Sequence, residues 1–193
     1  MKKGGGKAKG AEFERHVCKT LSLAITKGDS DALFWRSAMS GGRATIQAKD
    51  DIKNKAQAGD ISPIAKEGIV FADKFMIECK FYKDFNLHQI FLGNRKNKVL
   101  QFWNRLVYDA DSVEKWPILI AKQNFLDTFV FVYDVAPMLV FCERATVIVP
   151  SLNMACLLYT DFLDILETKD MSNVMTYREF SALSGVFNAI TNN

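Results

Sequence analysis

The sequence is poor in the residues that build the common zinc and redox scaffolds. Its four cysteines, Cys18, Cys79, Cys142 and Cys156, contain no CxxC pair, and His16 and His88 are the only histidines. That spacing assembles neither a zinc ribbon nor a zinc finger. Two distant histidines also supply neither an HNH-type nuclease site nor a histidine cage, so the thiols read as reduced, mostly buried residues. A metal in this chain would rest on carboxylates, whose hard oxygens suit an ion such as Mg²⁺. No stretch approaches the roughly 18 uninterrupted apolar residues of a membrane span. The start, MKKGGGKAKG, is charged but has no apolar core for a secretory signal. A cytoplasmic protein is expected.

What is present fits one ordinary globular domain: 193 residues suffice for a full core and are a squeeze for two. The net charge of +3 conceals an asymmetry. Residues 1–100 hold 19 Lys and Arg against 11 Asp and Glu, and residues 101–193 hold 6 against 11. A basic region on a near-neutral protein is the footprint of a polyanion partner, nucleic acid being the commonest. A solvated surface with a basic tail would give the same count.

Residues 1–9 read as a flexible basic arm. Phe13, Val17, Leu21 and Ala24, widened by Cys18 and Ile25, give an amphipathic helix over 11–26 ending near Lys27-Gly28, with Glu14 at the edge of its apolar stripe. ALFWRS (32–37) reads as a strand, residues 43–59 as a polar surface excursion, DISPIA (60–65) as a short strand ended by Pro63, and KEGIVFAD (66–73) as a loop. LHQIFLG reads as a helical turn and KNKVLQFWNRLVYDA as a helix burying Val99, Phe102, Trp103, Leu106 and Val107. WPILIAKQN and TFVFVYD are expected strands, and MLVFCERATVIV one or two more. TDFLDILE is an expected helix capped by Thr160 or Asp161, and TYREFSALSGVFNAI another, opened by a Thr176/Glu179 capping box. The pattern predicts an α/β domain on a mixed sheet.

KFMIECKF (74–81) is the segment that carries chemistry. A buried strand does not tolerate unpaired ions, since their desolvation costs several kcal/mol. Alternation sends Phe75, Ile77, Cys79 and Phe81 to one face and Met76, Glu78, Lys80 and Tyr82 to the other, with the Cα atoms of Glu78 and Lys80 roughly 6.5 Å apart. The charged pair is expected to face an open cleft. Glu14, Asp60, Glu78 and Lys80 then form a candidate constellation for phosphodiester hydrolysis, in which carboxylates hold a hard metal and a lysine stabilises the phosphorane or orients or deprotonates the attacking water. Each residue alone has a structural reading, as a helix-surface, turn or ion-pair residue. Their joint order is what argues for one site.

GD(60)I followed by IE(78)CK(80) resembles the PD-(D/E)XK nuclease superfamily, with Gly59 where its usual proline stands. GAEFERHV (10–17) is similar to the first-helix G-x-x-F-E-R signature of Holliday-junction-resolvase-like members. WRSAMSGG (35–42) is similar to their next strand and Ser/Gly loop, and KFMIECKFYKDF and WPILIAKQN look like segments of phage-encoded resolvase-like nucleases. The resemblance covers about residues 10–125. It implies a restriction-endonuclease-like core (helix, mixed β-sheet, helix, strands) at about 10–135 with a C-terminal β/α extension at about 136–193. It implies Mg²⁺ or Mn²⁺ held by Glu14, Asp60, Glu78 and the Cys79 carbonyl, with Lys80 assisting water and Ser40 near the scissile phosphate. Lys122 or Gln123 would come near the site, and products would carry 5′-phosphate and 3′-hydroxyl ends.

Arg36, Arg43, Lys83, Arg95, Lys96 and Lys98 are candidate phosphate contacts, together with Lys122 and Gln123. The expectation is a metal-dependent DNA endonuclease acting on branched DNA in recombination, repair or phage replication in the host cytoplasm, and working as a homodimer because two symmetric cuts need two sites. A superfamily nuclease cutting linear duplex, flaps or single strands, and a non-catalytic DNA-binding protein on the same fold, remain the alternatives.

Overall fold

The computed structural model describes residues 5–37, 58–86, 88–92 and 96–191. Helix α1, Gly5–Ile25, begins inside the segment expected to be a mobile arm. The physical reason is tertiary: the Lys9 ammonium stands 3.8 Å above the Phe81 ring and donates to Asn124 Oδ1. Phe13, Val17, Cys18, Leu21 and Ala24 are buried as the helical spacing requires. The helix stops where Lys27 and Gly28 both take positive φ, and the Gly28 amide donates to the Leu23 carbonyl at 2.8 Å.

Strands β1, Phe34–Arg36, and β2, Ile61–Pro63, form a small antiparallel sheet. Buried Ser22 of α1 accepts from the amides of Leu33 and Phe34 at 3.0 and 3.3 Å, which fixes the sheet against the helix. The expected loop at 66–73 is instead helix α2, Lys66–Lys74. Gly68 misleads as a turn signal. It is glycine because a Cβ there would sit 2.7 Å from the Leu33 carbonyl, and the helix forms because Phe71 and Ala72 bury against this corner.

β3, Phe75–Tyr82, follows directly. A helical turn α3, His88–Phe91, and helix α4, Lys98–Ser112, then return the chain to β4, Trp116–Gln123, parallel to β3. β5, Thr128–Tyr133, runs antiparallel to β4. Most of the expected strand MLVFCER instead forms a 3₁₀ turn, Ala136–Met138, and helical turn α5, Leu139–Cys142, which drop Met138 and Phe141 into the core. β6, Val147–Val149, and β7, Met154–Leu158, complete one mixed sheet of order β3-β4-β5-β7-β6. Helix α6 is Tyr159–Thr168; its cap is Leu158, with no side-chain bond, because β7 runs straight into the helix and leaves no room for the expected Thr160 or Asp161 cap. Helix α7, Tyr177–Thr191, has its capping box: the Thr176 amide donates to Glu179 at 2.8 Å and the Glu179 amide to Thr176 Oγ1 at 3.3 Å.

Both faces of the sheet are covered, which is why WPILIA reads as a continuous apolar run. Phe75, Ile77, Cys79, Ile118 and Ile120 pack with residues of α1 and α6 in one cluster, and Met76, Leu119, Ala121 and Phe131 with residues of α4 in another. β3 is an edge strand, met on its outer side by a single parallel bridge between Gly59 and Ile77. No helix of the described residues is long and apolar enough to cross a membrane.

Candidate active site

The sheet edge at β3 is where Asp60 is built. Gly59 has φ +95°, which a proline ring cannot adopt, and a Cβ on it would lie 2.5 Å from the Ile77 carbonyl. The glycine thus lets the chain touch β3 before turning into β2. Asp60 is then pinned by its own backbone: its amide donates to the Ile77 carbonyl and its carbonyl accepts from the Ser37 amide, both at 2.8 Å. Its carboxylate Oδ2 accepts from the Cys79 amide, also at 2.8 Å. Side chain and backbone together hold this buried acid against the strand that carries Glu78 and Lys80.

Lys80 ion-pairs with Glu78 and lies 3.7 Å from Asp60 Oδ2. The face they share is not an open cleft, as expected from alternation alone. Phe102 of α4 partly covers it: its ring packs on Tyr82 and its centre lies 5.5 Å from the Lys80 ammonium. The pair reaches solvent at the outer edge of β3, where side-chain exposures of 25% for Glu78 and 21% for Lys80 leave them accessible from one side.

Electrostatics follow from this crowding. Burial, reinforced by the charge of Glu78, pushes Asp60 from 3.8 up to about 6, against the pull of Lys80 and the Cys79 amide. Burial opposes the Lys80 charge, yet the combined attraction of Glu78 and Asp60 wins and moves Lys80 above its ordinary value. Without a cation on these two acids Lys80 is therefore held as an ammonium, suited to stabilising negative charge. Cys79 and Cys18 are raised by burial, Cys18 to about 12, and are unreactive core thiols.

The structure brings Asp60, Glu78 and Lys80 together; it does not bring Glu14 to the same point. Arg36 of β1 donates to Glu14 Oε2 at 2.8 Å, and no group of three His, Cys, Asp or Glu side chains among the described residues is drawn together as a ready cation cage. A divalent cation nonetheless fits the donor set. Two carboxylates are forced together where one is pushed up to about 6, and a cation relieves that repulsion. The Cys79 carbonyl shares the outer edge of β3 with its amide, because both groups of a strand residue point to the same side.

Of the expected DNA contacts, Arg36 is engaged with Glu14, and Gln123 Oε1 accepts from the Phe85 amide at 2.9 Å, which fixes the loop after β3. Lys122 stands 5.5 Å from the Phe81 ring and Lys98 5.9 Å from that of Tyr82. Lys83 and Lys96 are exposed. Ser40, Arg43 and Arg95 lie outside the described residues, as does most of the expected excursion at 43–59. Sequence reasoning missed Arg36 as the partner of Glu14 and Phe102 beneath Lys80; both contacts join distant segments and leave no local signal. The constraint at Gly59 did leave one, a glycine in the proline position.

Residues 5–154 match the profile of the family described as "Phage putative PDDEXK endonuclease". No curated protein and no solved structure gives a significant match. The match spans α1 through β6 and so contains Glu14, Asp60, Glu78 and Lys80, and the chain belongs to this phage endonuclease family of the PD-(D/E)XK superfamily.

Proposed function

We propose that the protein is a divalent-metal-dependent DNA endonuclease that hydrolyses phosphodiester bonds at the outer edge of β3. The observation that carries this reading is the convergence of Asp60, Glu78 and Lys80, with Asp60 locked by the Cys79 amide. Nucleases of this superfamily typically use a divalent metal. Asp60, Glu78 and the Cys79 carbonyl would hold Mg²⁺ or Mn²⁺, with Glu14 as a further carboxylate once Arg36 turns to the DNA. When bound, such an ion lowers the pKa of water and neutralises charge on the scissile phosphate.

The chain's own residues do the rest. The bonds from the Cys79 amide and to the Ile77 carbonyl lock Asp60 against β3 beside Glu78, which fixes where the two carboxylates present their oxygens. The Lys80 ammonium, kept charged by both acids, donates to a phosphate oxygen as negative charge grows there, a contribution that strengthens in the transition state. Arg36, Lys83, Lys98 and Lys122 contact phosphates and set the path of the strand. Branched DNA, symmetric cutting by a homodimer and a 5′-phosphate product are the finer parts of the proposal, supported by the first-helix resemblance.

The test is cleavage of four-way junction, flap, duplex and single-stranded DNA with Mg²⁺ or EDTA. Metal-dependent cutting that disappears in Lys80→Ala and Asp60→Ala is expected. Binding without cutting by the wild type would instead assign the chain to non-catalytic DNA binding, and equal cutting of all four substrates would remove the branched-DNA part.

A further inference from the structure

Phe125 is fully exposed, at 102% of its reference area, and has φ 63°, a left-handed conformation that strains a bulky side chain. It stands in the turn joining β4 to β5, and that turn is tied down around it. The Asn124 amide donates to the Tyr82 carbonyl and the Leu126 amide to the Gln123 carbonyl, each at 3.3 Å. Lys9 of α1 holds Asn124 Oδ1, and Leu126 lines a recess with Lys122, Asp127 and Tyr159. A lone exposed hydrophobic residue needs no partner, but a ring held in left-handed backbone on a tied turn, beside Leu126 at 48% exposure, is placed to stack on one.

The surroundings specify which kind. β3 and β4 are parallel, so the tip lies at the same end of the sheet as Lys80, Phe81 and Tyr82. Lys9 and Lys122 stand over the Phe81 ring, Lys98 stands near Tyr82, and Lys83 is exposed beside them. Of the acids here, Asp84 accepts from the Asn86 amide and Asp127 borders the recess, which leaves a cationic surplus. Lysines for phosphates and an aromatic ring for a base face make the chemistry of an unpaired nucleic-acid strand.

We propose that Phe125 stacks on an unpaired base of the DNA whose backbone passes the Asp60, Glu78 and Lys80 site, making the β4–β5 turn a sensor of unstacked or branched DNA. The choice of DNA rests on the nuclease reading; the stacking contact is a separate interaction. Lys80 is in register with Ala121, four residues before Phe125, so the ring lies roughly 10–13 Å along the sheet. An uninterrupted duplex offers no free base face and gains nothing from the ring.

The experiment measures binding of the full chain in EDTA, where nothing is cut, to a gapped duplex and to a continuous duplex of the same sequence. Phe125→Ala is expected to weaken gapped-DNA binding by about 5-fold or more, with Phe125→Trp restoring it. Continuous-duplex binding should change by less than about 2-fold, and the added indole emission of Phe125→Trp should be quenched by the gapped DNA alone. Equal losses on both DNAs, no loss on either, or loss of self-association with DNA binding intact would each overturn the proposal. Cleavage does not enter the readout: a chain that binds this way without cutting sinks the nuclease reading and leaves the stacking, and a chain that cuts with Phe125→Ala binding as wild type does the reverse.

Discussion

The Cys79 amide donates to Asp60 Oδ2 at 2.8 Å while the Asp60 amide donates to the Ile77 carbonyl at the same distance. Asp60 therefore uses its side chain and its backbone to occupy the ladder positions that a neighbouring strand would fill. This arrangement fixes an acid on a sheet edge and keeps it buried next to a second carboxylate.

The first consequence concerns pH. Asp60 is pushed from 3.8 to about 6 by burial first and by Glu78 second. An acid whose folded pKa lies above its unfolded one retains a proton that the open chain has lost. The contribution of Asp60 to stability is then fully present below about pH 4, is lost as pH rises toward about 6, and stays absent above that window. The loss is on the order of 3 kcal/mol. Asp60→Asn keeps an acceptor for the Cys79 amide and cannot ionise. In EDTA near pH 8 its thermal midpoint should exceed that of the wild type by several degrees, and near pH 4 the two should coincide. Equal midpoints at both values would contradict the linkage.

Gly59→Ala tests the positioning of the same acid. The variant must place a side chain at φ +95° and move a Cβ that would sit 2.5 Å from the Ile77 carbonyl. A destabilisation of about 1–3 kcal/mol is expected from strain at such a backbone. Cleavage should fall further than folding does, because a shift of Asp60 by about 1 Å costs about 100-fold in rate. Urea denaturation and single-turnover cleavage measure the two effects separately; a variant with wild-type stability and rate would show that the contact is not needed.

The contrast between what the sequence disclosed and what it concealed has a physical basis. Glu78 and Lys80 were legible because two charges in FMIECKFY violate the apolar pattern of a strand, and the α1 stripe was legible because Phe13, Val17 and Leu21 repeat at helical spacing. Helix α2 was concealed because Gly68 serves packing against Leu33, a contact between segments that only the fold brings together. β7 was concealed as well: NMACLLY has too short an apolar run to separate strand from helix, and its place between β5 and β6 is settled by the sheet. In the site, the Arg36–Glu14 pair and the Phe102 ring near Lys80 are tertiary in the same sense.

That pair leads to a third prediction. If Glu14 joins the metal site only after Arg36 releases it, Arg36→Gln should lower the Mg²⁺ concentration needed for half-maximal cleavage while weakening DNA binding. Glu14→Gln should raise the same concentration. The pair is partly exposed, with side-chain exposures of 32% and 13%, so its contribution to stability is expected to stay below about 1 kcal/mol. A Mg²⁺ titration of cleavage for both variants checks this, and identical midpoints would leave Glu14 as a structural partner of Arg36.

The last prediction separates charge from proton transfer at Lys80. Glu78 and Asp60 hold Lys80 above its ordinary value; if Lys80 acts as a cation in the reaction, Lys80→Arg should preserve part of the rate whereas Lys80→Gln should lose about 100- to 1000-fold. A general base would behave otherwise: arginine cannot deprotonate, so both variants would be equally inactive. The pH–rate profile gives a second readout. A fixed cation leaves no ionisation of its own in the profile between about pH 6 and 9, while a lysine acting as base would make the rate climb through that range and the climb would vanish in Lys80→Arg.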